Sequence, residues 1–301
     1  MKCLLLTATN QSDEWVFNEW KKNDLNPCVI FKPASKYLRV LRRIWKKIKI
    51  PYFCLWYSKK WKSAVKEADI IIVHMSWLTD TLPKYLNKLN SKAKIIAWYW
   101  NCVKIANDPS TIKGHCEKWS FDPNDCEKYG LKFNHQYYFK SFISPSSDAP
   151  IYDIFFCGSD SGRGKLLMDL YKVFQKAGLN NLFQIVYPEY DGIPEKLKSN
   201  RVSYLNIVEN IKKSRCLLEL TREGQSGPTL RLMEALFNKK KVITTNKAVK
   251  DEPFYNPQNI FILGERSKEE LYDFVRSDYV DPGEKFIELY DVKNWLNNFS
   301  R

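Results

Sequence analysis

No run of about twenty apolar residues occurs in the 301-residue sequence, so no segment reads as a membrane-spanning helix. The opening Met1-Lys2 leads directly into a short apolar run over residues 3–7, too brief for the core of a secretory signal. The chain is therefore expected in the cytosol. Glycine is missing before Gly114. The first strand-to-helix connection thus lacks the G-x-G-x-x-G fingerprint that brings backbone close to a pyrophosphate, which removes a dinucleotide cofactor from the first half. Eight cysteines are present, but Cys3, Cys157 and Cys216 fall inside predicted buried strands, and a disulfide framework is not expected in a chain of this size. Cys102, Cys116 and Cys126, with His115, lack the paired short spacings of a zinc site.

Acidic residues are absent between Lys32 and Lys66, where twelve Lys or Arg residues stand at positions 32, 36, 39, 42, 43, 46, 47, 49, 59, 60, 62 and 66. The chain as a whole carries a formal charge of +14. Such a balance calls for an acidic partner: a phosphorylated small molecule, anionic lipid or nucleic acid. Hydrophobic residues make up 44% and aromatics 15%, enough apolar surface to offset the ordering entropy of a folded chain. The length favours two domains.

Apolar runs alternate with segments of helical period, the pattern of parallel sheets joined by crossover helices. In the first half, strands are predicted over residues 2–7, 27–31, 69–74 and 94–98 and around 119–121. Helices are predicted over 13–23, within 37–49 and 59–67, and over 78–89. Asp122-Pro123 reads as a capped helix start and Gly130 as its stop. The small, polar stretch over 144–150 reads as a linker. The alternation then restarts, with strands at 152–157, 183–187, 216–221, 242–245 and 260–263 and helices at 165–177, 207–213 and 229–237. The predicted architecture is α/β: two Rossmann-like domains facing a cleft, the first over residues 1–143 and the second over 151–282. A C-terminal helix is placed within 283–301.

The most informative segment follows the strand ending at Thr221. A polar loop containing Gly224 and Gly227 permits a tight turn, and Pro228-Thr229 open a helix. Ligands of open α/β sheets bind beyond the carboxyl ends of strands, and a helix N-terminus offers free N–H groups and positive potential to phosphate. Arg231 could add a bidentate contact. Glu234, one turn further on, could accept ribose hydroxyls. The competing reading is an ordinary capped helix with a surface ion pair between the two. The loop Gly158-Ser-Asp-Ser-Gly-Arg-Gly-Lys165 also joins a strand to a helix. It could cradle phosphate with backbone amides while Arg163 or Lys165 supplies charge. Five residues separate Gly158 from Gly164, and Leu166 stands where a magnesium-binding Ser or Thr would be needed, so this is not an NTPase loop.

Several segments together resemble the GT-B glycosyltransferases of bacterial capsule, lipopolysaccharide and exopolysaccharide clusters. They are Gln225-Ser-Gly-Pro-Thr-Leu-Arg-Leu-Met-Glu-Ala-Leu236, Lys239-Lys-Lys-Val-Ile-Thr-Thr-Asn246, Phe254-Tyr255 with Asn259-Ile260, and upstream Ser120-Phe-Asp-Pro-Asn-Asp125, Lys128-Tyr-Gly-Leu131 and Tyr152-Asp-Ile-Phe-Phe-Cys-Gly158 with Arg163. The resemblance covers residues 94–300. It implies that Glu234 is the ribose-binding Glu. It also implies that the loop after Gly158 and the helix-start residues Ser226, Gly227, Thr229 and Arg231, with Asn246, face the donor. Many retaining members carry a second Glu eight positions earlier; Ser226 stands there in this chain, which leaves inverting and retaining outcomes both open.

An inverting transfer of this kind needs a general base near the acceptor hydroxyl, with diphosphate charge held by cations or helix ends instead of a metal. The first half should supply the base. Asp13, beyond the first strand, and His74, closing the strand at 69–74, are the candidates, against the plainer roles of a helix cap and a structural histidine. No cofactor is expected, since the nucleotide sugar is a co-substrate.

The segment 37–48 places Leu38, Leu41, Trp45 and Ile48 near one helical face with cations elsewhere, and Tyr52, Phe53, Trp56, Tyr57 and Trp61 follow. A basic amphipathic helix bearing Trp suits an anionic bilayer surface, where a lipid-linked acceptor would be found. Arg42, Arg43, Lys46 and Lys47 are expected to face lipid. Nucleic acid is not expected as a partner, because no recognised binding module is present. The sequence thus predicts a metal-independent glycosyltransferase acting on a lipid-linked or oligosaccharide acceptor at the inner face of the plasma membrane. The alternative is a basic binding protein that uses the same scaffold without catalysis.

Overall fold

A computed structural model describes residues 2–8, 14–143, 149–222 and 224–300. The chain divides into two compact units, Met1–His135 and Gln136–Arg301. The first contains strands β1 (Cys3–Thr7), β2 (Leu25–Val29), β3 (Ile70–His74), β4 (Lys94–Tyr99), β5 (Glu117–Ser120) and β6 (Lys132–Phe133). Its helices are α1 (Glu14–Lys22), α2 (Lys36–Lys47), α3 (Lys62–Glu67), α4 (Leu82–Leu89) and α5 (Pro123–Tyr129). The sheet is parallel throughout, in the order β2-β1-β3-β4-β5-β6. Strands β1 and β3 are buried along their whole length, as expected of parallel strands covered on both faces. The start and stop of α5 are those read from sequence: the Asp122 carboxylate accepts from the N–H groups of Asn124 and Asp125. Gly130 turns left-handed at φ 63° to close the helix.

Helix α2 is built the opposite way from a core helix. Its single buried residue is Arg42, whose guanidinium lies 4.1 Å above the Phe31 ring, and Lys46 pairs with Asp80. The apolar residues point outward: Tyr37 is 85% exposed, Ile44 49% and Ile48 62%, with Leu38 and Leu41 also exposed. Of the apolar face expected from periodicity, only Trp45 turns in, against Trp56. Of the four cations expected to face lipid, Arg42 and Lys46 are turned to their own unit instead, Arg42 over the Phe31 ring and Lys46 against Asp80, while Arg43 and Lys47 are exposed.

The second unit contains β7 (Tyr152–Gly158), β8 (Asn181–Val186), β9 (Lys198–Ser199), β10 (Ser214–Glu219), β11 (Lys241–Thr244) and β12 (Ile260–Ile262). Its helices are α6 (Gly164–Lys176), α7 (Tyr204–Lys212), α8 (Leu230–Phe237), α9 (Leu271–Arg276), α10 (Glu284–Tyr290) and α11 (Val292–Asn298). This sheet too is parallel, ordered β12-β11-β10-β7-β8-β9. The expected single C-terminal helix is two helices, because Asp291 adopts an extended conformation and its side chain caps α11 by accepting from Lys293 N–H.

Residues 136–143, assigned by sequence to the first domain, pack with the second unit. Tyr138 bridges the junction of α10 and α11: its N–H donates to the Tyr290 carbonyl at 2.9 Å, and its carbonyl accepts from Val292 N–H at 3.0 Å. Tyr137 lies against Trp295, with ring centroids 4.2 Å apart. Most of the expected linker, residues 144–148, lies outside the described residues.

Candidate functional site

The carboxyl ends of β7 and β10, adjacent in the second sheet, carry the two loops singled out from sequence. Strand β10 ends on a carboxylate in an otherwise apolar run. Glu219 is fully enclosed, at 2% exposure, and accepts from the Thr229 hydroxyl and backbone N–H and from the Thr244 hydroxyl. Burial raises its pKa, against the pull of those donors. It clamps the entry of α8 to the neighbouring strand. Thr229 in turn caps α8, its oxygen accepting from Arg231 N–H at 3.1 Å, so the helix N-terminus is fixed beside the sheet edge.

The expected donor residues sort into braces and accessible groups. Arg163 is a brace: its Nε donates to the Asp160 carbonyl at 2.9 Å, one Nη to Ser159 at 3.1 Å and the other to Leu220. It thereby ties the loop after β7 to the loop after β10. Burial and the nearby Arg222 lower its pKa, yet it stays cationic, since guanidinium is not deprotonated in proteins. Asn246 is also buried, its Nδ2 donating to the Ser226 carbonyl at 3.0 Å and its Oδ1 accepting from Ala248 N–H. Gly227 is buried, while Gly158, Ser226 and Thr229 are partly accessible and Lys165, in the first turn of α6, is exposed.

Arg231 and Glu234 are brought together, and the pair is internal. Their side chains are 15% and 3% exposed, and Arg231 Nη1 lies 2.5 Å from Glu234 Oε2. The other Nη donates to the Cys157 carbonyl at the end of β7, 2.8 Å away. Glu234 Oε1 lies 2.8 Å from the Tyr204 hydroxyl, which is 2.9 Å from the Tyr138 hydroxyl. Tyr204 is the donor toward both, so its one proton is shared between the carboxylate and the Tyr138 oxygen. Burial raises the pKa of Glu234, and Arg231 and Tyr204 act against that rise. The surface ion pair of the competing reading is thus replaced by a buried network of four side chains. Sequence reasoning missed Glu219, Tyr204 and Tyr138. A Glu within Cys216-Leu-Leu-Glu-Leu220 was the one available signal; the tyrosines come from distant segments that no local pattern joins.

In the first unit, His74 closes β3. Its ring stacks on Trp100 (centroids 5.1 Å, 28°) and meets Trp20 edge-on. Burial lowers its pKa to about 3, so the imidazole is neutral at physiological pH, and its buried Nε2 has no hydrogen-bond partner among the described residues. Asp13 lies outside the described residues. Among the described residues, no group of three or more His, Cys, Asp or Glu is placed to hold a metal ion, and no helix is long and apolar enough to cross a membrane.

No protein-family model and no curated protein sequence matches the chain. Solved structures do match over its whole length. Anabaena HepE in complex with UDP-glucose aligns at a TM-score of 0.64 with 8% identity, covering 99% of this chain and 98% of that one. The lipopolysaccharide outer core galactosyltransferase WaaB, in its apo form, gives 0.53 with 15% identity over 100% and 99%. The DNA-modifying enzyme β-glucosyltransferase gives 0.53 with 13% identity over 99% and 94%. At these identities the likeness is one of fold. Two parallel six-stranded sheets with interleaved helices give this chain the α/β architecture of the GT-B glycosyltransferases.

Proposed function

We propose that this chain is a glycosyltransferase that moves a sugar from a nucleotide-sugar donor to a hydroxyl of a lipid-linked glycan in surface polysaccharide synthesis. The observation that carries the reading is the braced N-terminus of α8 beside Arg231 and the loop after β7, on a fold shared with HepE bound to UDP-glucose. That neighbour makes a UDP-sugar the first donor to test. The described residues engage each Nη of Arg231 once, which leaves guanidinium donors over for a diphosphate. Together with the first N–H groups of α8 and the exposed Lys165, they would hold charge that develops on the leaving nucleotide. Glu234 is assigned to the ribose, and Gly158, Ser226, Gly227 and Thr229 to the wall around the phosphates. Arg163 and Asn246 act by holding that wall in place.

The base is assigned to the first unit. His74 is buried between Trp20 and Trp100, out of reach of an acceptor hydroxyl, so the role is assigned to Asp13. No metal ion is required in this scheme, because cations and helix ends supply the counter-charge. The outward apolar face of α2, flanked by Lys36, Arg39, Arg43 and Lys47 with no acidic residue between Lys32 and Lys66, supports peripheral attachment to the anionic inner face of the plasma membrane. Calorimetric titration with nucleoside diphosphates and nucleotide sugars tests the reading: selective binding of one diphosphonucleotide is expected. The second reading, a basic binding protein without catalysis, is favoured by the charge of +14. It predicts oligonucleotide binding that weakens steeply with salt, and no nucleotide selectivity.

A further inference from the structure

The first unit holds a cavity of about 690 Å³ between the end of α2 and the outer side of α4. Its volume is far more than a single anion needs and lies within the range of small-molecule sites. Five lysines line it (46, 49, 84, 88 and 113) and a single carboxylate, Asp80, which Lys46 already pairs. Lys49, Lys84, Lys88 and Lys113 have no acidic partner among the described residues. Four unpaired like charges around one hollow repel each other, and a ligand carrying more than one negative charge relieves that repulsion. Four aromatic residues contribute to the remaining wall, Tyr52 largely exposed and Phe53, Tyr57 and Tyr85 more enclosed, beside Ile50 and Pro51.

The cationic side of the cavity is fixed by backbone. Lys84 N–H donates to the Lys113 carbonyl and Lys113 N–H to the Asp80 carbonyl, both at 2.8 Å. Asn87 bonds both backbone groups of His115 through its side chain. Gly114 permits this close approach: it sits at φ 99°, and a Cβ there would lie 2.4 Å from Lys84 N. The backbones of Lys84 and Lys113 are thus held side by side without a ligand, which leaves only the side chains to be ordered on binding one.

We propose that this cavity binds a phosphorylated saccharide, its phosphate between Lys84, Lys88 and Lys113 and its sugar against the Tyr52 and Phe53 wall. This deepens the acceptor side of the transferase reading and involves none of the donor residues. The test titrates the full chain, its donor site saturated with UDP, with inorganic diphosphate, glucose 1-phosphate and glucose, titrates UDP separately, and repeats both with Lys84→Ala, Lys113→Ala and Gly114→Ala. The two phosphate probes should bind, and glucose should bind at least about tenfold more weakly. Each lysine variant should lose about tenfold or more toward both phosphate probes while UDP affinity stays unchanged, as expected for a lost charge-assisted contact. Gly114→Ala should weaken the same probes, since it separates the two lysines without removing charge. Competition of glucose 1-phosphate by phosphatidylglycerol vesicles would assign the phosphate to a lipid; competition only by soluble sugar phosphates would assign it to a free ligand. Equal binding of the phosphate probes by parent and lysine variants overturns the proposal, as does displacement of those probes by an oligonucleotide alone. A parent that binds UDP but neither phosphate probe overturns the cavity assignment and leaves the transferase reading standing; the reverse result does the opposite.

Discussion

Replacing Arg231 by Ala should destabilise the protein in a way that depends on pH. At 2.5 Å separation and an effective dielectric of about 20, the gross attraction between guanidinium and carboxylate is about 6–7 kcal/mol. Desolvation of both groups offsets much of that, and removing one partner of such a buried pair typically costs about 3–5 kcal/mol, because the other charge is left stranded. The stranded group is Glu234, whose pKa burial already raises and whose one cationic neighbour would be gone. For an acid whose folded-state pKa lies above its unfolded value, the folded state holds the extra proton. Stability is then fully present below the unfolded value and falls as pH rises through the folded one. Urea denaturation should show a loss of about 3–5 kcal/mol at pH 8. At pH 5 the loss should shrink by roughly 1.4 kcal/mol for each pH unit above 5 that separates the folded pKa of Glu234 in the parent from that in the variant. The binding arm uses the folded fraction: Arg231→Ala should weaken UDP by about tenfold to a hundredfold and uridine little, while Glu234→Gln should weaken both alike. A loss below about 1 kcal/mol, the range of an exposed pair, or the same loss at both pH values, would refute the reasoning.

Three other outcomes are expected. Transfer activity with excess chelator should equal that without it, and a loss restored by magnesium or manganese would end the metal-independent scheme. Changing Arg39, Arg43 and Lys47 to Glu should abolish sedimentation with phosphatidylglycerol vesicles, since each cation near such a surface contributes about 1 kcal/mol; Arg42→Glu should instead reduce stability, because it faces Phe31. Asp13→Asn should lower kcat by about a hundredfold or more with KM for the donor unchanged, the signature of a lost general base, and an unchanged kcat would move that role elsewhere.

Much of the fold is legible because burial on both faces makes parallel strands near-continuous apolar runs, as in residues 70–73 and 216–218. The α5 caps were legible because Asp122 and Gly130 act locally. The two-residue edge strands β6 and β9 carry too few residues for any period to show. Helix α9 was signalled by a capping box over residues 267–270, with Ser267 N–H bonded to Glu270 Oε1, a pattern easily passed over in a charged stretch. At the candidate site, sequence named the helix start and its two charged residues. It could not separate Lys165 from Arg163, because only tertiary structure shows which cation is consumed by backbone carbonyls. Nor could periodicity say which side of α2 faces out, since amphipathicity fixes a stripe and not the direction in which the stripe points.

The placement of residues 136–143 has a consequence for synthesis on the ribosome. A strand-like segment near the start of the second unit is hydrogen-bonded to the Tyr290 and Val292 backbone, and its Tyr137 is covered by Trp295, which Phe299 meets edge-on. The sequence of the first unit is complete once residue 135 has been made. The second closes on itself only when Trp295 has been made, so its first strand, β7 from Tyr152, waits for that contact through the synthesis of nearly half the chain.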